Sequence, residues 1–221
     1  MKIYAINGGP RKEWNTATML GHFLEGAASA GSHVETELIH LFDLKYTGCI
    51  SCFSCKRPGR GYARCAVRDG IHDLLQQLPL ADGIVFGSPI YFHDITAQLR
   101  GLLERLFFQY HSFEKGEKSL APKKVPTAII YTMNVTEDVF RRDGYAANLR
   151  TTESYFDWTF YAKSELLYAF NTYEFNDYGR YKASYWDEPE KAAWRKKQFP
   201  LDCRAAFEAG RRMAGLAPDP A

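Results

Sequence analysis

Short apolar runs alternate with amphipathic segments along most of this 221-residue chain. The first run, "KIYAIN" (2–7), ends at a Gly-Gly-Pro turn, and this pattern predicts a buried strand. The segment that follows, 16–30, places its apolar residues on one face of a helix. Four more runs have the character of buried strands, namely 33–41, 83–92, 125–133 and 165–170.

Between and after these runs, the apolar residues return to helical spacing. Helices are predicted around 71–78, around 99–107 and over about 189–214. Pro200 should kink the last of these helices or break it in two, because proline cannot continue a helix ladder. Residues 134–163 are polar and aromatic, and we expect them to be helical in part.

Strands that alternate with helices favour right-handed βαβ crossovers and a parallel sheet covered on both faces. Five strands predict an α/β fold of the flavodoxin-like, doubly wound type, with strand order 2-1-3-4-5 and helices on both faces. In such a sheet, the ligand-binding crevice lies at the carboxyl ends of the first, third and fourth strands. No linker divides the sequence, so we expect a single domain over residues 1–221.

Charge and hydropathy exclude several classes of partner. The formal net charge is only +2, and Lys and Arg are interspersed with Asp and Glu, which argues against a nucleic-acid stripe or a polybasic membrane patch. No apolar run approaches the roughly 20 residues that span a bilayer, and the N-terminal run is too short for a signal peptide. We therefore expect a cytoplasmic protein. A reducing cytoplasm disfavours disulfides, so clustered thiols there favour metal or redox chemistry.

The loop after the first strand, "NGGPRKEWNTAT" (7–18), carries groups that suit a phosphate. It offers a tight turn, the cation of Arg11, and Asn15 and Thr16 at the start of the predicted helix. Free N–H groups and the helix dipole favour an anion at that position. The loop is neither a Walker A sequence nor the dinucleotide motif G-x-G-x-x-G. An ordinary strand–helix turn is the alternative interpretation.

The loop after the third strand, "GSPIYFHD" (87–94), would supply an apolar and aromatic wall. Pro89 stiffens its start, and the residues at 90–92 present surface on which a flat ring can stack. His93 is more typical of a solvated loop histidine than of a catalytic acid or base. The residues "YTMN" (131–134) end the fourth strand and would form a third wall. Ordinary packing between helix and sheet is the alternative for the aromatic pair.

These loops and the cysteine-rich stretch between them carry a family resemblance. The segments "NGGPRKEWNT" and "GSPIYFHDITAQLRGLLER", with the C-x2-C-x2-C run in "GCISCFSCKRPGRGYARC" (48–65), resemble the NADPH-dependent FMN reductase family. Within that family they are similar to the cysteine-rich iron–sulfur flavoproteins. The resemblance extends over about residues 1–135. It implies an FMN-binding oxidoreductase that uses NAD(P)H as its co-substrate.

The resemblance also implies which residues contact FMN. Arg11, Asn15 and Thr16 would bind the phosphate. The family usually has a serine where Gly9 stands, so one hydroxyl contact is absent and backbone N–H groups would serve there. No side chain is expected to act as a catalytic acid or base, because the flavin itself carries the chemistry. The residues expected around the isoalloxazine ring are Pro89, Ile90, Tyr91, Phe92 and His93 on one side, and Thr132, Met133 and Asn134 on the other.

Two classes of function stay open at this point. One is an enzyme that passes electrons from NADPH or NADH through FMN to a quinone, a flavin or a similar small-molecule acceptor. The other is an iron–sulfur flavoprotein that carries electrons and is reduced by a partner such as ferredoxin. A non-catalytic module stabilised by zinc would explain the cysteines but would leave the phosphate loop without a purpose.

The loop 46–66 contains four of the five cysteines of the chain. Cys49, Cys52 and Cys55 can converge on one metal centre, and Cys65 would close the set after nine intervening residues. Iron–sulfur ligation commonly uses such runs, whereas zinc knuckles usually comprise two separated pairs. These four residues are therefore candidate ligands of one [4Fe–4S] cluster. The alternative is a loop of reduced thiols that line the flavin crevice without iron.

The C-terminal extension, 171–221, begins with "NTYEFNDYGRYKASYW" (171–186), which is too rich in Tyr and Phe for a wholly solvated loop. This stretch can pack on its own domain or against a neighbouring subunit. The family resemblance implies a homodimer or a tetramer, with the flavin near a subunit interface. Both arrangements are compatible with the sequence.

Overall fold

A parallel sheet forms the centre of the computed structural model, which describes residues 1–215. Its strands are β1 (Lys2–Asn7), β2 (Glu35–His40), β3 (Gly83–Tyr91), β4 (Asp94–Ile95), β5 (Thr127–Thr132) and β6 (Glu165–Ala169). The five long strands are parallel and follow the order β2-β1-β3-β5-β6, which confirms the predicted order 2-1-3-4-5. The short β4, which the sequence patterns did not indicate, pairs antiparallel with the end of β3.

The helices lie where the apolar periodicity predicts them, and two more occupy the segment 134–163. They are α1 (Asn15–Ala28), α2 (His72–Gln77), α3 (Ala97–Tyr110), α4 (Glu137–Arg142), α5 (Tyr145–Phe160), α6 (Glu188–Lys197) and α7 (Phe199–Met213). The closing helix is divided as expected, with Pro200 in the first turn of α7, where its missing N–H group costs nothing. No helix of the described residues is long and apolar enough to cross a membrane.

Helices cover both faces of the sheet and create two cores. Side chains alternate along a strand, so Ile3 and Ala5 of β1 face one core while Tyr4 and Ile6 face the other. The first core is closed by α1 and α7, and the second by α2, α3 and α5. Because both faces are covered by apolar packing, loops at the carboxyl edge of the sheet are left to form a site.

Candidate functional site

Hydrogen bonds join the loops that follow β1, β3 and β5 into one rim. The backbone N–H of Gly8 donates to the carbonyl oxygen of Gly87 at 2.8 Å, and the Thr96 hydroxyl donates to the carbonyl oxygen of Gly8 at 2.7 Å. The hydroxyl oxygens of Thr16 and Thr132 lie 2.7 Å apart and are buried. The carboxyl ends of the three strands are therefore held in fixed register around one opening.

A cavity of about 310 Å³ lies at this rim. It is lined by every residue predicted from the sequence to contact FMN except Phe92 and His93. Phe92 is fully exposed, and the His93 ring stacks on Tyr145 with 3.8 Å between ring centroids. Both residues have positive φ angles, 49° and 69°, so the chain turns sharply there and directs them away from the cavity. The predicted residues that line it are Gly9, Arg11, Asn15, Thr16, Pro89, Ile90, Tyr91, Thr132, Met133 and Asn134.

The aromatic stretch 171–186, here called the strap, folds back over this cavity. The indole N–H of Trp14 and the side-chain amide of Asn15 both donate to the carbonyl oxygen of Tyr173, at 3.1 and 3.0 Å. The high aromatic content had indicated that this stretch packs on a surface, but not on which one. Of the predicted extension, residues 216–221 lie outside the described part of the chain. The lining residues that sequence reasoning missed are Pro10, Trp14, Thr172, Glu174, Phe175 and Trp186.

Two arginines flank Trp14 at the N-terminus of α1. The guanidinium carbons of Arg11 and Arg195 lie 4.7 and 5.3 Å from Trp14 ring centroids, and Arg195 donates to the side-chain oxygen of Asn15 at 2.7 Å. Arg11 donates to the carbonyl oxygen of Glu174 at 2.7 Å, and its guanidinium lies 3.4 Å from that residue's carboxylate. The first turn of α1 holds no acidic residue. This end of the cavity therefore favours an anion.

Other residues of the cavity lining suit a flat ring that carries hydrogen-bonding groups. Tyr91, Phe175 and Trp186 contribute aromatic surface to the lining. The side-chain oxygen of Asn134 is buried there and has no hydrogen-bond partner among residues 1–215. An unpaired buried acceptor is costly unless a ligand donates to it. An N–H donor on a planar ligand would satisfy Asn134, which matches the donor that an isoalloxazine ring presents.

Gly9 leaves little room for a side chain. A Cβ atom at this position would lie 3.1 Å from the side-chain oxygen of Asn7 and 3.2 Å from Cδ of Pro89. The Gly9 backbone N–H already donates to that Asn7 oxygen at 2.9 Å. A side chain here would require these neighbours to shift by a few tenths of an ångström, so glycine fits this position.

The cysteine loop forms a second, smaller pocket against α3. Burial raises the pKa of the Cys55 thiol, and hydrogen bonds with Ser54 lower the pKa of the exposed Cys52. The fifth cysteine, Cys203, is buried elsewhere in α7. The thiols that share this pocket are Cys49, Cys52, Cys55 and Cys65.

Arg105 of α3 anchors both ends of the cysteine loop. Its guanidinium donates to the carboxylate of Asp69 at 2.6 Å, to the carbonyl oxygen of Val67 at 3.0 Å and to that of Thr47 at 3.3 Å. It also donates to the sulfur of Cys65 at 3.4 Å. The side chain is only 1% exposed. A buried cation thus faces the pocket that the thiols share.

A second cation, Lys56, ties the loop to the end of α3. Its ammonium group donates to the carbonyl oxygens of Phe108, Gln109 and His111. Phe108 and Gln109 belong to the last turn of α3 and His111 is its C-cap, so the ammonium group lies at the helix C-terminus, where a positive charge is favourable. The loop is therefore held by α3 at several points rather than lying free in solvent.

The four thiols of the pocket are the type of donor that an iron–sulfur cluster uses. Within residues 1–215, no group of three or more Cys, His, Asp or Glu side chains is placed to hold one metal ion. Four thiols on one pocket, with Arg105 beside them, have the chemistry that such a cluster requires.

Comparison of the sequence with known proteins gives consistent matches. The sequence model of the family described as NADPH-dependent FMN reductase matches residues 1–136. An iron–sulfur flavoprotein from Methanocaldococcus jannaschii is 39% identical over 105 residues, which cover 48% of this chain and 51% of that protein. One from Archaeoglobus fulgidus is 35% identical over 105 residues, 48% of each chain. The chain thus spans about half the length of these curated relatives in the match.

Solved structures extend the likeness to almost the whole chain. The NAD(P)H:quinone oxidoreductase from Methanothermobacter marburgensis superposes with a TM-score of 0.71, covering 96% of this chain and 98% of that one. Its sequence identity to this chain is 16%, so this likeness concerns the fold. The shared fold places the carboxyl-edge cavity in the position expected of a flavodoxin-like protein.

Proposed function

This chain belongs to the NADPH-dependent FMN reductase family, and from that premise we propose that it is an FMN-dependent NAD(P)H oxidoreductase. It would pass electrons from a nicotinamide nucleotide through FMN to a quinone, a flavin or a similar small acceptor. One observation carries this proposal: a single cavity is lined both by groups that suit a phosphate, at Arg11 and the N-terminus of α1, and by aromatic side chains and an unpaired amide oxygen that suit a ring. FMN has the same division between its phosphate and its ring.

Different residues of the cavity would bind the phosphate and orient the ring of FMN. Arg11 and the N-terminus of α1 hold the phosphate, with Thr16 fixed against Thr132 beneath it. Tyr91 is half-exposed at the opening, which leaves access to the ring for a second planar molecule. FMN supplies the transfer of a hydride and its release as electrons, so no side chain is needed as an acid or base.

Reduction by a nicotinamide nucleotide is the direct test of this proposal. Stoichiometric NADPH or NADH should bleach the absorbance of the bound flavin in an anaerobic stopped-flow experiment, with no partner protein present. Turnover with a quinone or free FMN should follow. Dithionite provides the control, since it reduces any bound flavin. Bleaching by dithionite but by neither nucleotide would contradict the reductase function and favour an electron carrier.

The phosphate end is tested by Arg11→Ala. Loss of the guanidinium removes a charge-assisted contact, so we expect FMN binding to weaken by about 1.5–3 kcal/mol in a fluorescence titration. Lys12→Ala is the matched control, because Lys12 is exposed on the same loop and pairs with Asp43 at 2.7 Å outside the cavity. An unchanged affinity of Arg11→Ala would place the phosphate elsewhere.

A second candidate function is favoured by the cysteine pocket. Cys49, Cys52, Cys55 and Cys65 would hold a [4Fe–4S] cluster, which supplies one-electron transfer, and a protein such as ferredoxin could then be the electron partner. Arg105 would offset part of the negative charge of the cluster. The reductase and carrier functions are compatible if the cluster accepts electrons from the flavin.

Iron and sulfide analysis decides whether the pocket binds a cluster. Protein purified without oxygen should contain about four iron and four sulfide per chain. Cys52→Ser should lose iron but retain FMN, because the cysteine pocket and the phosphate loop are built from different residues. Cys203→Ala, in α7, should retain both. Anaerobically prepared protein that contains neither iron nor sulfide would show that the loop carries only reduced thiols.

A further inference from the structure

A buried lysine lies directly behind the wall of the cavity. Lys191 of α6 is only 3% exposed, and its ammonium group donates to the carbonyl oxygen of Asn134 at 3.0 Å and to that of Thr172 at 3.4 Å. Its third bond goes to the side-chain oxygen of Asn171 at 2.8 Å. Both Asn134 and Thr172 line the cavity. The ammonium group is thus separated from the cavity by the residues that form its wall.

The charge of Lys191 is not neutralised by a direct partner. All three of its hydrogen-bond acceptors are neutral amide oxygens, and within residues 1–215 no carboxylate lies at salt-bridge distance from it. Burial lowers the pKa of Lys191 to about 8, while Glu174 and Glu190 oppose that shift from a distance. The group therefore remains mostly protonated at neutral pH. The carboxylate of Glu174 is itself paired with Arg11, so it neutralises less of the positive charge of Lys191.

A buried charge without a counter-ion is expensive, and its field is strong because the surroundings are poorly polarisable. A neutral side chain that donates hydrogen bonds could bind α6 to the same three oxygens with a smaller desolvation penalty. The bond to the Asn134 carbonyl places the charge of Lys191 against the cavity wall that contains Asn134, where the proposed function puts the isoalloxazine ring. A negative charge that forms on a ring at this wall would be stabilised by that field.

We propose that Lys191 stabilises the negative charge that appears on the flavin when it is reduced, and thereby raises the reduction potential of the bound FMN. This inference rests on the proposed function. A hydride carries two electrons and one proton, so its transfer from NAD(P)H to oxidised FMN forms NAD(P)⁺ and leaves one additional negative charge on the flavin. Lys191 does not touch the reacting atoms and acts as a charge behind the wall. It lies outside residues 1–136, the part of the chain that the family model matches.

The test measures how tightly the protein binds oxidised FMN and how tightly it binds reduced FMN. A titration gives the affinity for oxidised FMN. The midpoint potential of the FMN-loaded protein, compared with that of free FMN, then gives the affinity for reduced FMN. Lys191→Met and Lys191→Gln should each lower the affinity for reduced FMN by about tenfold relative to that for oxidised FMN, which is about 30 mV for a two-electron couple. Lys196→Met removes an exposed charge from the same helix and should leave the ratio unchanged. The parental protein should bind reduced FMN at least as tightly as oxidised FMN.

A purely structural lysine would give a different result. In that case both neutral variants would unfold more easily but keep the parental ratio of affinities, and the inference would be overturned. If neither variant folds, the parental protein decides: a potential below that of free FMN overturns the inference, and one at or above it supports the inference. Failure of the parental protein to bind FMN would instead overturn the proposed function, and this inference with it.

Discussion

Replacement of Gly26 by alanine should destabilise the fold by about 3 kcal/mol or more. A Cβ atom at Gly26 in α1 would lie 1.9 Å from the backbone oxygen of Phe207 in α7. The reciprocal contact has the same geometry, since a Cβ at Gly210 would lie 1.9 Å from the backbone oxygen of Phe23. Backbone atoms cannot rotate aside as side chains do, so the two helices would have to separate. Urea unfolding of Gly26→Ala and Gly210→Ala measures the loss.

Gly21 provides the matched control on the same helix. No neighbouring group lies within 4 Å of the position that an alanine methyl would take there. Gly21→Ala should therefore stabilise the protein by up to about 1 kcal/mol, because alanine has the higher helix propensity. If Gly26→Ala had the same unfolding midpoint as the parental protein, the close approach of α1 and α7 would be wrong.

The second large effect is expected for Arg105→Met. This change leaves the carboxylate of Asp69 without its buried partner and removes the guanidinium bonds to two carbonyl groups of the cysteine loop. Removal of one member of a buried ion pair costs about 3–5 kcal/mol, and we expect a loss of about 3 kcal/mol because Asp69 retains some exposure. Thermal or urea unfolding measures it, and faster thiol labelling of the loop cysteines should accompany it.

Arg100→Met tests whether the loss of stability expected for Arg105→Met arises because the Arg105 ion pair is buried. Arg100 also lies on α3 and pairs with a carboxylate, that of Asp94, at 2.7 Å, but both side chains are well exposed. Water screens such a pair, so the loss should stay within about 1 kcal/mol. Equal losses for Arg100→Met and Arg105→Met would show that Arg105 does not anchor the cysteine loop through its buried contacts.

The order of the sheet and the place of the cavity followed from the sequence alone. Apolar periodicity distinguishes strands of period two from helices of period 3.6, and the right-handed crossover rule leaves few ways to connect them. The strand ends then bring "NGGPRK", "SPIY" and "TMN" to the same edge. These are local patterns with a general geometric consequence, which is why Arg11, Tyr91 and Asn134 could be placed at the cavity in advance.

Phe92 and His93 show that local sequence patterns do not predict the direction of every side chain in a loop. Their neighbours in the same run line the cavity, but two successive positive φ angles and the β4 pairing turn these two side chains away. Positive φ angles at residues other than glycine have only a weak sequence signature. The direction of a side chain in a tight loop therefore depends on contacts made after folding, such as the stack of His93 on Tyr145.

The residues that complete the site were decided only by the tertiary structure. Arg11 and its acceptor Glu174 are 163 positions apart, and Lys191 lies 57 positions from its acceptor Asn134. Contacts of this range leave no periodic pattern, because they form when separate elements pack together rather than within any one of them. Sequence periodicity determined the sheet and its binding edge. Packing of the C-terminal strap and of α6 determined how that edge is closed and charged.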